Sequence, residues 1–146
     1  MENQFLPQAL AQFDLIAINK VLECNKFSSG FGLSLTEDEV KALAEHRLET
    51  LKSTGRIELS GWIMPKLIFA FCDSPFIYQD NYEEMLFGLQ EVFYYFKGEM
   101  LEEISDNDLI EVMKEKFDTE CQGSLEYLQE TVMERLARSV REGEDE

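Results

Sequence analysis

One stretch of the chain has no polar face: between Trp62 and Cys72 the only charge is Lys66. A segment apolar all round is either a membrane span or the centre of a core, and this one falls well short of the ~20 apolar residues a span needs. It reads as a short buried helix near 62–72. Pro65 belongs in the first turn, where its missing N–H costs nothing, which places the start near Ser60 or Gly61; Asp73-Ser-Pro75 marks the end. The segment should be the best protected part of the chain, with Phe69 inside the core.

The positions around it repeat at helical spacing. Ala9, Leu10, Phe13, Ile16, Ala17, Val21 and Cys24 predict a first helix over Pro7 to Asn25, and Leu15, Ile18 and Leu22 widen its apolar face until only Gln12, Asn19 and Glu23 stay polar. Lys26 to Leu35 has no period and reads as a connection anchored by Phe27 and Phe31. Gly30 and Gly32 do not make it a phosphate loop, since the third glycine, the preceding strand and the Lys-Ser/Thr ending are missing. Thr36 and Glu39 spell a capping box, after which Val40, Leu43, Ala44, Leu48 and Leu51 line a second helix that stops at Gly55. Arg56 to Ser60 reads as an extended linker.

Beyond the central helix, Asp80 and Glu83 open a fourth helix running to about Lys97 with the stripe Tyr82, Met85, Leu86, Leu89, Val92, Phe93, Phe96. Gly88 in mid-helix costs roughly 1 kcal/mol against alanine, which predicts a close neighbour, Trp62 or Phe69. Ser105 to Asp108 caps a fifth helix lined by Leu109, Ile110, Val112, Met113 and Phe117. Ser124 opens a sixth, with Leu125, Leu128, Val132, Leu136 and Val140 on one stripe, before a disordered acidic tail at 142–146. The expected architecture is all-α: one compact domain over residues 1–146, about six helices in an orthogonal or irregular bundle, with the third at the centre.

Composition changes this picture in two ways. At 45% apolar and 12% aromatic the chain is globular despite its charge. Cys24, Cys72 and Cys121 are far apart in sequence and form no Cys-x-x-Cys, which predicts free, buried thiols in a reducing compartment; with no basic and apolar leader at the N-terminus, the expected location is cytoplasmic. The net charge of −17 repels phosphate backbones and anionic lipid, so neither a nucleic acid nor a membrane is expected as a partner, and a basic protein is.

Candidate chemistry is thin. His46 is the only histidine, and Glu45-His-Arg-Leu-Glu49 lacks the repeated Glu-x-x-His of a di-metal bundle, so a solvated histidine at a helix edge is expected. The pairs Glu83-Glu84 and Glu102-Glu103 point about 100° apart on a helix and cannot converge alone. Cys72 has Asp73 beside it, which raises a thiol pKa. No catalytic residue, metal site or cofactor is expected. The aromatic residues are more numerous than a core of this size needs, and Trp62, Tyr78, Tyr94 and Tyr95 are the candidates for a pocket or a protein-binding surface, the last two because they lie outside the main stripe of their helix.

The runs Gly32-Leu-Ser-Leu-Thr-Glu37, Thr54-Gly-Arg-Ile-Glu-Leu59, Pro65-Lys-Leu-Ile-Phe-Ala-Phe-Cys-Asp-Ser-Pro-Phe-Ile77, Phe93-Tyr-Tyr-Phe-Lys97 and Cys121-Gln-Gly-Ser-Leu-Glu-Tyr127 carry a likeness over most of the chain after the first helix. In these the chain resembles an uncharacterised family of small acidic proteins from Gram-positive bacteria, a domain of unknown function. The resemblance implies a discrete bacterial protein and brings no activity, cofactor or site residue. The expected function is a non-enzymatic cytoplasmic interaction module with an aromatic patch and an acidic rim; the alternative is a helical domain that binds or senses a small hydrophobic ligand.

Overall fold

A computed structural model of the chain describes residues 15–55, 58, 61–99 and 104–145, with side chains except at 98–99 and 141–145. Among them every regular element is a helix, with no strand. The first helix, α1, is described over 15–23; the part expected from Pro7 to Asp14 lies outside the described residues. A one-turn α2 (Asn25–Ser28) follows, then a 3-10 turn (Ser29–Phe31) closed by Gly32 at φ 80°, a left-handed conformation that glycine adopts without a steric penalty. Asn25 pins the connection by exchanging two 2.9 Å hydrogen bonds with the backbone of Leu35.

The capping box forms as the residues dictate. Thr36 Oγ1 accepts the Glu39 N–H at 3.1 Å, Glu39 Oε1 accepts the Thr36 N–H at 2.8 Å, and α3 (Glu37–Thr54) runs to Gly55 at φ 69°. Its buried line is Val40, Leu43, Ala44, Arg47 and Leu51. Leu48, expected on that line, is 49% exposed: the 3.6-residue period carries the face through position 47, so a charged residue goes in and a leucine stays out. Of the linker expected over 56–60 only Glu58 is described.

Helix α4 (Met64–Phe71) has Pro65 in its first turn, as expected, and packs against α2, α5 (Tyr82–Glu99) and α6 (Asp106–Asp118). The expectation of burial all round is corrected. Met64, Leu67, Ile68 and Phe71 are buried, while Lys66 and Phe69 face outward, Phe69 at 53% exposure. The segment is apolar on every side but has neighbours on only some of them.

Helix α5 has neighbours on several sides: α3 lies along it, and α4, α6 and α7 (Leu125–Tyr127) touch it elsewhere. Its entry is a 3-10 turn, Gln79–Asn81, and Asn81, not Asp80, supplies the capping acceptor, taking the Tyr78 N–H at 2.9 Å. Gly88 does permit a close approach, but the neighbour is Leu125 of α7, into whose side chain a Cβ would run, and not Trp62 or Phe69. Lys97 donates to the Ile104 carbonyl and lies 3.6 Å from Asp106, tying the end of α5 to the start of α6.

Ser105 caps α6 by accepting the Asp108 N–H at 3.1 Å, and Ser124 caps α7 by accepting the Tyr127 N–H at 3.1 Å. From α7 the helix passes without a break through a π-helical stretch, Leu128–Met133, into α8 (Glu134–Asp145). The wider π turn advances the buried face by about one residue. Leu128, Val132, Met133 and Ala137 are therefore buried, and Leu136, which the undisturbed stripe would bury, is only partly covered. Helical backbone continues through Asp145, into the stretch expected as a disordered tail; Glu146 lies outside the described residues.

Candidate functional site

The four residues singled out from sequence do not form one surface. The Trp62 ring is partly buried, and its Nε1–H donates to Gln90 Oε1 at 2.6 Å; the fully buried Gln90 passes the connection on by donating from Nε2 to the Leu43 carbonyl at 3.1 Å. Trp62 thus ties the entry of α4 to α5 and α3. Tyr78 is 58% exposed at the turn before α5, and Tyr95 is partly buried with its ring edge-on to Phe96 at 4.9 Å.

Tyr94 is core, 1% exposed, which corrects its place among the candidates for a binding surface. Its hydroxyl donates to the Glu58 carboxylate, 2.7 Å from both oxygens, and Arg47 Nε donates to the same carboxylate at 2.7 Å. The Arg47 and Glu58 side chains are 9% and 6% exposed, so this is an ion pair inside the protein. Burial, then the neighbouring carboxylate, pushes the Tyr94 phenol far above its ordinary range. For Arg47, burial opposes the charge, but Glu58 outweighs it and holds the guanidinium above its usual value. Nothing in local spacing pairs Arg47 with Glu58; the available signal was Arg47's position on the buried line of α3.

What the fold does bring together is a set of phenylalanines. Phe27 and Phe31, one turn apart at α2, have ring centroids 5.6 Å apart, and Phe27 meets Phe69 of α4 at 5.0 Å; the rings are tilted by 54° and 60°, as aromatic quadrupoles favour. All three are about half exposed, at 46%, 49% and 53%. Beside Phe69 a groove of about 690 Å³ opens between α4 and α6, floored by Phe69, Ala70 and Ile110 and flanked by Lys66, Glu111 and Glu115. Lys114 also lines it, but its ammonium is held at 2.7 Å by Asp73 and 2.9 Å by Asp118. The sequence signal for this surface was Phe27 and Phe31 at i,i+4 in a stretch without a core pattern.

The titratable groups considered from sequence stay apart from this surface or are poorly suited to chemistry. The His46 ring sits edge-on to Phe87 at 4.9 Å, with Nε2 3.6 Å from Glu91. All three cysteines are free and buried, and each thiol is pushed up first by burial, Cys72 further by Asp73. Burial also pushes the Tyr82 phenol up to about 12 against a smaller lowering by the Ser28 hydroxyl. Partial burial, then Glu39, raises Glu83, while Glu84 is exposed; Glu102-Glu103 lies outside the described residues. Among the described residues no group of His, Cys, Asp or Glu is placed to hold a metal ion, and no helix is long and apolar enough to cross a membrane.

Neither a curated protein nor a solved structure matches the chain. Residues 20–146 match the model of a family of unknown function, DUF6323, and on a match spanning so much of its length the chain belongs to that family.

Proposed function

We propose that the protein is a single-domain, non-enzymatic, cytoplasmic interaction module that meets another protein through Phe27, Phe31 and Phe69 and the adjoining α4/α6 groove, with its acidic surface favouring a basic partner. The observation that carries this reading is the half-exposure of three phenylalanines in tilted ring contact, which have no hydroxyl or amine to solvate and gain from being covered. Buried thiols with raised pKa values support both the non-enzymatic reading and a reducing compartment.

A photo-crosslinking residue at position 69, compared in cells with one at the exposed Lys52, tests it. The expected result is a discrete protein adduct at 69 that is absent at 52. Equal labelling at both positions, or none, would remove the reading. The second reading, a small hydrophobic ligand, is supported by the groove volume of about 690 Å³, within the range of ligand sites. It predicts a lipid-sized mass bound to the purified protein in native mass spectrometry and lost with Phe69→Ser.

A further inference from the structure

The composition of the groove selects among partner conformations. Phe69, Ala70 and Ile110 in the groove, with Phe27 and Phe31 beside it, offer no side-chain donor or acceptor, while Asn107, Asp118 and Thr119 add polar groups on the α6 side. An extended or polyproline segment laid over the apolar side would leave the backbone N–H and C=O groups that face it buried without partners, which is costly in an apolar setting. An α-helix satisfies those groups internally and presents only side chains. Strand addition needs a sheet edge, and the described residues contain no strand.

Charge selects further. On the α6 wall Glu111 and Glu115 are exposed at i,i+4, so their carboxylates stand one turn apart along the rim. Lys114, between them in sequence, is already neutralised by Asp73 and Asp118, which leaves Lys66 on the α4 wall as the other cation of the groove. The rim is therefore negative along α6, and the whole chain, at −17, attracts a cationic segment over longer range and repels an acidic one.

We propose, resting on the interaction reading above, that the occupant of the groove is an amphipathic α-helix of another protein, apolar on the face that covers Phe69 and Ile110 and carrying Lys or Arg one turn apart along the edge that meets Glu111 and Glu115. Helix-in-groove recognition of this kind is read by anchors at i, i+3/i+4 and i+7.

The test uses three fluorescein-labelled synthetic peptides of roughly five helical turns: one with a leucine face and Lys along its edge, the same peptide with Glu in place of Lys, and a scramble of the first that destroys the apolar face. Fluorescence anisotropy at physiological salt is measured against the full chain, Phe69→Ser and Glu111→Lys/Glu115→Lys, with circular dichroism checking that each variant is folded. The Lys peptide should bind saturably, at least about tenfold tighter than either control; Phe69→Ser should weaken it about tenfold or more, and Glu111→Lys/Glu115→Lys should reverse the order of the Lys and Glu peptides. Equal binding of the Lys peptide and its scramble would reduce the effect to non-specific attraction to an acidic surface and overturn the proposal. Equal, Phe69-dependent binding of the Lys and Glu peptides would overturn the cationic class while leaving the interaction reading in place; the crosslinking result at position 69 decides that reading separately. A concentration-dependent dimer of this chain that competes with the Lys peptide would also overturn it, by assigning the groove to a second copy.

Discussion

The α3–α5 interface and the α2–α4 surface invert the usual placing of residue types. Inside the first, a guanidinium, a carboxylate and a phenol are removed from water; on the second, three phenylalanines are left half in it. Buried ion pairs are weak evidence for stability, because desolvation offsets most of the attraction, whereas the geometry they impose is strict. Glu58 joins Arg47 of α3 to Tyr94 of α5, and at that point specificity of arrangement is the benefit. At the aromatic surface the arrangement is equally specific, yet the apolar area remains available. The difference teaches that whether a side chain is covered is decided by how many elements surround its helix, and only secondarily by its own hydropathy.

The sharpest way to break the comparison lies within α4. Phe71 is 1% exposed with its ring edge-on to Phe117 at 5.5 Å; Phe69, two residues earlier, is 53% exposed. Phe71→Ala should cost roughly 3–5 kcal/mol in urea unfolding, the range for emptying a large aromatic site, and Phe69→Ala under about 1 kcal/mol. Equal costs would mean that Phe69 is covered in solution and the surface is core.

The polar region is tested by removing one partner and then both. Arg47→Ala removes one cation from the buried Glu58 carboxylate and should cost about 3–5 kcal/mol, whereas Arg47→Met with Glu58→Leu should recover part of that loss, held back by the Tyr94 hydroxyl losing its Glu58 acceptor. Additive losses in a double-mutant cycle would show the two groups to be independent and the tie to be incidental.

A pH-dependent effect is expected in alkali. Tyr82 has its folded pKa raised from 10.0 to about 12, and Tyr94 is raised further by burial and Glu58. A group raised in the folded state contributes its stability fully below its unfolded pKa and loses it as pH climbs toward the folded value. Stability should therefore fall between about pH 10 and 12, with Tyr82 alone accounting for on the order of 2–3 kcal/mol. The three raised thiols act in the same direction from about pH 9 upward. Tyr82→Phe should flatten the profile measured by denaturant midpoint; an unchanged slope would place that phenol in contact with water.

The helices were legible because their signals are local. Thr36 with Glu39, Ser105, Ser124, Pro65 and Gly55 each act within one turn, and each does in the structure what its chemistry requires. The candidate surface was much less legible. Phe69 belongs to a helix with no polar face, so no periodicity could say which side would lack a neighbour; the packing of α4 against α2, α5 and α6 decides it. Tyr94 lies off the stripe of α5, but α5 is enclosed on several sides, and Glu58, 36 residues away, gives its hydroxyl a partner. The one-residue drift in the last helix arises from a π-helical stretch that no capping residue announces. For Phe69 and Tyr94 the missing information is a contact between elements remote in sequence.

The least costly perturbation probes whether the phenylalanines are organised or merely adjacent. Phe27 and Phe69 come from different helices, with centroids 5.0 Å apart and planes at 60°. Tilted aromatic pairs contribute about 0.5–1.5 kcal/mol beyond area burial, and water on the outer faces should hold this one near the lower limit. A cycle of Phe27→Ala, Phe69→Ala and the double variant should therefore give a coupling of about 0.5 kcal/mol by chemical denaturation. Coupling near zero would mean that the rings move independently and any partner must order them, which weakens the case for a preformed site. Coupling above about 2 kcal/mol would mark the cluster as a small core in its own right, held together without a partner.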